Sequence, residues 1–504
     1  MELKKALEEL KNLQMKMYAY SFAISMIYLD ANTVAPSETA EPRGEALGIL
    51  SGESHKVFAN PETGKLLEFL GWNLSELDFT TRRQVEELTR DYRMQSKIPV
   101  EEYMEYSILL NGAQAVWQKA KVEDDFEAFR PFLEKIVEFN VRFAGYFNPD
   151  KKPYDALLDQ YERGMTMATL DKYFAEVRAT LIPLLKKISE KPQIDDSFLH
   201  KNYPIEQQRK LSDYLMDLMG LDRSHCTIGE TEHPFETNVS NKDVRITTHY
   251  YDDSLVSSIY SVVHESGHAL YELGGADEFE YTCLAGGVSM GLHESQSRFF
   301  ENVIGRSREF VFTILPKLKE LFPEQLEGVT AENFFRAVNK AEPSLIRIEA
   351  DELTYSLHIM VRYEIEKQLI GGSLAVSDLP EAWNTLYKEY LGIDVPSNRD
   401  GCLQDSHWSG GSFGYFPSYS LGSAYAAQML AEMSKDIDVF APVSKGDLSI
   451  VTAWLRDKIH RHSSSLPPAE LLKSAIGEFD PKYYTEYLTS KFSNLYDLEA
   501  DEEA

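Results

Sequence analysis

Tyr251-Asp252-Asp253-Ser254-Leu255-Val256-Ser257-Ser258-Ile259-Tyr260-Ser261-Val262-Val263-His264-Glu265-Ser266-Gly267-His268 opens with Asp and Ser and ends in two histidines four residues apart. Between them Leu255, Ile259, Val262 and Val263 recur at helical spacing, which with Gly274-Gly275 beyond predicts a helix over residues 254–273. Its Leu/Ile/Val stripe is expected to be buried, with Tyr260, His264 and His268, spaced by fours, turned towards a different partner. Two imidazoles so spaced project from one helix face and can grip a single metal ion, with Glu265 beside it. In a His-Glu-x-x-His pattern, zinc lowers the pKa of bound water to about 7 and the glutamate takes the proton. Metal-assisted hydrolysis of a peptide bond is the chemistry implied; the plain alternative is a pair of core histidines bonded to backbone.

A catalytic zinc has three protein ligands and one open position, so a further donor must come from elsewhere. Metzincins place Gly and His three and six residues after the second histidine; here those positions hold Tyr271 and Gly274, which excludes that class. Glu294 is the favoured third donor. It lies in a second helical pattern, Met290-Gly291-Leu292-His293-Glu294-Ser295-Gln296-Ser297-Arg298, preceded by Gly286-Gly287, and a two-helix hairpin would bring it to the metal. Glu278 and Glu280, in a probable loop, and Glu301, two turns further on, are rivals.

Outward from this centre the chain is helical. Leu-, Glu-, Lys- and Ala-rich periodicity runs from Leu3 to about Met219 and again from Ser307, without tandem repeats or low-complexity tracts, and the breaks at residues 148–153 and 191–196 are short enough for loops. The expectation is a mainly α protein with one domain over 1–504. Within it, 1–225 is a helical region, 226–425 carries the metal and substrate site, and 426–504 supplies C-terminal helices. The clearest β signal is Asp243-Val244-Arg245-Ile246-Thr247-Thr248-His249-Tyr250-Tyr251, which can pair with Glu236-Thr237-Asn238-Val239-Ser240 through Asn241-Lys242 as a small sheet next to the metal helix.

The formal net charge of −30, from 81 acidic against 51 basic residues, disfavours nucleic acid and anionic membrane as partners. It also repels a negative substrate terminus, so holding one requires a local arginine. The acidic tail from Asp497 to Glu503 reads as a frayed, solvated end. Three cysteines, Cys226, Cys283 and Cys402, imply no disulfide framework and a reducing compartment. Residues 17–29 are apolar on balance but too short to span a bilayer, and read as a buried helix of a cytoplasmic protein.

Six of the twelve histidines fall between His225 and His293, the enrichment expected around a metal. His249 and His293 read as supports or structural residues, and His233, before Pro234-Phe235, as a candidate to face substrate. Residues 343–359 read as a largely buried helix dense in charge, in which spacing alone gives Arg347 a structural network with Glu349, Asp351 or Glu352 rather than a fork free for a carboxylate. Residues 401–419 are Gly-rich and aromatic and read as an ordered loop. It is either packing alone or a site where His407 donates to the scissile group and a Tyr hydroxyl stabilises an oxyanion.

Together these segments resemble the carboxypeptidase Taq family of thermostable carboxypeptidase 1-like metallocarboxypeptidases. His233-Pro234-Phe235, Asp243-Val244-Arg245-Ile246-Thr247, His264 to His268, His293-Glu294-Ser295-Gln296, Ile346-Arg347-Ile348-Glu349-Ala350-Asp351 and Gly401 to Trp408 match its six motifs in order. The resemblance implies a mostly helical homodimer whose N-terminal helices cover a deep active-site groove. It implies His264, His268 and Glu294 as ligands of zinc, with cobalt serving in some members, and Glu265 as general base and then acid. It makes Arg347 the favoured receptor of the substrate's α-carboxylate, sets Arg245 near the closed end of the groove, and gives His407 and Tyr419 to the carbonyl or leaving group. The expected function is removal of single C-terminal residues from peptides with broad tolerance. A metallo-endopeptidase on the same scaffold and a non-catalytic, metal-stabilised binding protein are the alternatives.

Overall fold

In the computed structural model, residues 2–498 are described, and helices dominate them. Most of the acidic tail, from Glu499 on, lies outside the described residues; Leu498, at its start, is buried rather than solvated. No helix among the described residues is long and apolar enough to cross a membrane.

The predicted central helix spans Leu255–Leu273, with Leu255, Ile259, Val262 and Val263 fully buried. Ser254 occupies the N-cap position but its side chain makes no capping bond. After a loop, the second helix of the hairpin spans Met290–Arg298. It is capped by the Ser289 hydroxyl, which accepts from Leu292 N at 3.2 Å, and by the buried carboxylate of Glu162, which accepts from Gly291 N at 3.0 Å. A π-helical turn over Phe299–Gly305 follows directly. Such turns recur at functional sites because the wider winding redirects one side chain, and here it carries Glu301.

Close approach in this hairpin depends on small residues. A Cβ on Gly267 would lie 2.6 Å from the Gln296 carbonyl oxygen and 2.7 Å from Ser297 Cα, both backbone atoms. Helix Phe416–Asp436 closes the third side, and there a Cβ on Gly422 would meet Glu294 Cγ at 2.6 Å. Two helices therefore pack closely against the one that carries Glu294.

Three strands lie beside the central helix in the order β1 (Cys226–Glu230), β3 (Asp243–Thr248), β2 (Glu236–Ser240). The β2–β3 hairpin is the expected one, with a register shift between Asn238 and Ser240. The parallel strand β1 is not anticipated by the sequence, because it is short, contains Gly229, and gains its partner only through a distant pairing. β3 also stops at Thr248 instead of reaching Tyr251, as His249 turns away to place Nδ1 2.7 Å from the Thr231 carbonyl oxygen.

Three further expectations are corrected. Residues 343–359 are not one helix: a short 3-10 turn, Arg347–Glu349, precedes the helix Tyr355–Gly371. Asp351 causes the break by accepting from Leu353 N, Thr354 N and the Thr354 hydroxyl at 2.9, 3.0 and 2.8 Å, while Arg347 N donates to the Gln404 side chain at 2.9 Å rather than to a helical carbonyl. The loop over residues 401–419 ends early, so Tyr419 stands on the first turn of helix Phe416–Asp436, where Pro417 fits. Residues 17–29 belong to the long helix Leu3–Thr33 but are not buried, Phe22 and Tyr28 being 39% and 52% exposed.

Instead that helix walls a cavity of about 520 Å³. Met17, Tyr18 and Ser25 face Asn238 and Ser240 of β2 and the segment from Glu280 to Gly286 across it. The N-terminal helices bury their own apolar set, including Leu10, Phe58, Leu70 and Leu88, apart from the main core. All three cysteines are unpaired.

Gly267→Ala is expected to cost about 1–3 kcal/mol by forcing the hairpin apart. A urea midpoint equal to that of the parent protein would contradict this packing.

Candidate metal centre

His264, His268 and Glu294 offer donor atoms that all lie within 4.8 Å of one another. His264 Nε2 and His268 Nε2 stand 3.7 and 3.4 Å from Glu294 Oε2. Donors about 2.0–2.2 Å from a tetrahedral ion are roughly 3.3 Å apart, so the set fits a divalent cation with small adjustment. Both Nδ1 atoms face away and are engaged elsewhere, leaving Nε2 as the inward atom of each ring.

Glu301, a rival for the third ligand, takes a different place. Its Oε2 lies 2.8 Å from His264 Nδ1, and Arg298 Nη1 donates to the same oxygen at 3.2 Å. Arg298 Nε meanwhile donates to Glu294 Oε1 at 2.7 Å, and its guanidinium stacks 4.2 Å from the Tyr355 ring centroid. Of the other two rivals, Glu280 accepts from Asn241 N at 3.2 Å, and neither it nor Glu278 belongs to the donor cluster.

The charges follow this layout. Burial alone would raise the Glu294 carboxyl, but Arg298 and His264 override it and hold it well below the ordinary carboxylate range. The same contest, with Arg298 and His264 again prevailing over burial, brings Glu301 down to about 2. Burial lowers His264, yet the Glu294 and Glu301 carboxylates more than reverse that and leave it above the usual histidine value. Burial, reinforced by His293, takes His268 down to about 3 and keeps it neutral. Glu265 is buried without a cation of its own; burial pushes it up to about 7, with Glu294 adding to the rise against His264. A carboxyl poised there can take and return a proton near neutrality.

A second charged group lies behind Tyr355. Arg347 is buried, and its Nε and Nη2 donate to Asp405 Oδ1 at 2.9 and 2.8 Å while Nη1 donates to the Tyr355 hydroxyl at 3.1 Å. The partner acid is thus Asp405, not Glu349, Asp351 or Glu352. Asp405 also accepts from Arg362 Nε through Oδ2 at 2.7 Å, and its two arginines hold it far below the ordinary range despite burial. His407 Nε2 lies 3.1 Å from the Tyr419 hydroxyl, and burial together with Arg347 lowers its pKa to about 3. The Arg347 guanidinium sits 5.0 Å from the Tyr419 ring, so Arg347, His407 and Tyr419 form one group.

Two expected site residues are not drawn into either group. Arg245 is paired with Asp243 at 2.8 and 2.9 Å along β3, and His233 is exposed in the loop before β2. The sequence reading missed Arg298, Tyr355, Asp405 and Arg362. Of these, Arg298 carries a signal, its spacing of four from Glu294, and Asp405 stands within the Gly401 to Trp408 motif.

Asp405→Asn should destabilise the fold by about 3–5 kcal/mol, since two buried guanidinium groups would lose their counter-charge. In the parent protein the Asp405 pKa is lowered by folding, so this contribution is intact above about pH 4 and is lost as pH falls through the folded value. Chemical denaturation of both forms at pH 7 measures it, and equal midpoints would refute the pairing.

A profile described as carboxypeptidase Taq (M32) metallopeptidase matches residues 9–492. Carboxypeptidase 1 of Bacillus subtilis is 40% identical over 501 residues, covering 98% of this chain and 100% of that protein. Thermostable carboxypeptidase 1 of Pyrococcus furiosus is 39% identical over 482 residues, 95% of this chain and 96% of that one. The crystal structure of the M32 carboxypeptidase from Deinococcus radiodurans R1 superposes with a TM-score of 0.95 at 35% identity, over 98% of this chain and 100% of that one.

Proposed function

The chain belongs to the carboxypeptidase Taq (M32) metallopeptidase family and is a metal-dependent carboxypeptidase acting on peptides; on that premise we propose how its residues share the work. His264, His268 and Glu294 hold the ion, which we take to be zinc with cobalt able to replace it. One observation supports this above all: three donor atoms of the right chemistry converge, with a carboxyl that burial pushes up to about 7 in the adjoining position. When bound, the ion supplies Lewis-acid polarisation of the scissile carbonyl.

Glu265 accepts a proton from the attacking water and returns it to the amine that leaves as the C–N bond breaks. Arg347 receives the substrate's terminal carboxylate. Its Nε, Nη2 and Nη1 each already donate once, and the second N–H of Nη1 and of Nη2 is what remains for that contact. Asp405 fixes the guanidinium, and His407 with Tyr419 meets the peptide carbonyl or the leaving group. Arg245 and His233 belong to the groove further from the reacting bond.

We further propose that one metallocarboxypeptidase unit covers 1–504, with broad side-chain tolerance, a cytoplasmic location and a homodimeric state. The homodimer rests on the family resemblance, the single unit on the unbroken helical pattern, and the location on three unpaired cysteines. An exposed apolar row, Val100, Met104 and Ile108, offers a second subunit a surface to cover.

Glu265→Gln should leave metal content and fold intact while lowering kcat at least about a hundredfold. Timed mass spectrometry on a peptide and its C-terminally amidated twin should show successive loss of single residues from the first and turnover of the second slower by about a hundredfold or more. Equal rates would sink the anchoring role of Arg347. Because the His264 pKa lies above the ordinary histidine value in the metal-free protein, zinc must displace its proton below that value. Zinc affinity should therefore fall by about tenfold per pH unit once the pH drops below the His264 pKa, measured by chelator competition.

A further inference from the structure

The two metal-facing histidines are backed by different groups. His264 Nδ1 meets the carboxylate of Glu301 directly, at 2.8 Å. His268 Nδ1 instead meets another imidazole, His293 Nδ1, at 2.5 Å, and His293 Nε2 lies 2.8 Å from Glu272 Oε1.

The proton positions along this chain follow from its far end. Glu272 accepts at both oxygens: Gly287 N donates to Oε1 at 2.9 Å and Asn238 Nδ2 donates to Oε2 at 2.6 Å. His293 Nε2 must then be a donor to Oε1. Taken as a neutral imidazole with its one N–H on Nε2, His293 is left with a lone pair on Nδ1, which can only accept. His268 Nδ1 is therefore the donor across the short contact, and the lone pair of His268 falls on Nε2, the atom that faces Glu294.

We propose that His293 and Glu272 are positioning residues that lock His268 in its Nδ1–H tautomer, through an interposed imidazole where His264 uses a carboxylate. This rests on the reading that His268 is a metal ligand. It also gives the Gly286-Gly287 turn a role beyond starting a helix, because the Gly287 amide helps hold the carboxylate at the end of the relay. Asn238 extends the relay to β2 and to the wall of the cavity under the N-terminal helices. Outer partners of this kind are worth about 10–100-fold in metal affinity.

Two measurements test the relay, and neither depends on peptide turnover. In long-range ¹H–¹⁵N spectra of the metal-free protein, His268 should carry its proton on Nδ1 and His293 on Nε2. Zinc affinity by chelator competition should fall about 10–100-fold in His293→Leu. It should remain within severalfold of the parent value in His293→Asn, whose amide oxygen can replace the accepting Nδ1. Circular dichroism and a denaturation midpoint establish that each variant is folded.

A proton on His268 Nε2 in the parent protein would overturn the proposal. So would a folded His293→Leu variant that binds zinc as tightly as the parent, or a folded His293→Asn variant that loses as much affinity as His293→Leu, which would mark packing as the whole role. If the tautomers and affinities follow expectation while amidated and free peptides are cut alike, the relay stands and the anchoring of the terminal carboxylate fails.

Discussion

Arg298 is the group on which the candidate metal centre depends. Its guanidinium donates to Glu294 and Glu301 at once, in a place where burial would otherwise push both carboxyls towards neutrality. An ionised Glu294 can serve as a metal donor, and an ionised Glu301 can orient His264; the neutral acids would do neither. Buried charges need partners, and here one cation serves two anions while its flat face rests on Tyr355. Glu265 lies among the same groups without such a partner. Two acids held low and one raised to about 7 thus lie within one cluster, the difference set by whether Arg298 reaches them.

Tyr355 joins this centre to the Arg347 group proposed to anchor substrate. One side of its ring meets Arg298, and its hydroxyl accepts from Arg347. Arg347 is in turn held by Asp405, which it shares with the fully buried Arg362. The proposed carboxylate receptor is therefore fixed relative to the metal by a short run of contacts between rigid groups. Such fixing suits a task in which the bond to be cut must lie one residue from a held terminus.

Around both groups the fold supplies closeness. Gly267 and Gly422 let three helices meet at Glu294, and a capping carboxylate from Glu162 pins the start of the helix that carries it. The β2 strand adds Asn238 to the acid behind His293, so the small sheet supports the centre as well as walling the cavity above it. The N-terminal helices, with their own apolar core, form the opposite wall.

The sequence by itself determined the central helix with His264 and His268 on one face, the second helix that carries Glu294, and the β2–β3 pairing, because each rests on residues close together in the chain. Spacing of four on a helix is a local fact, and so is the buried stripe that orients it. Only the tertiary structure decided that Glu301 lies against His264 Nδ1 outside the donor cluster, that Arg347 pairs with Asp405, that β1 joins the sheet, and that residues 17–29 wall a cavity instead of filling a core. Those outcomes depend on charges and backbone groups brought together from distant segments. A buried acid takes whichever cation the packing puts beside it, and spacing along the chain carries no record of that choice.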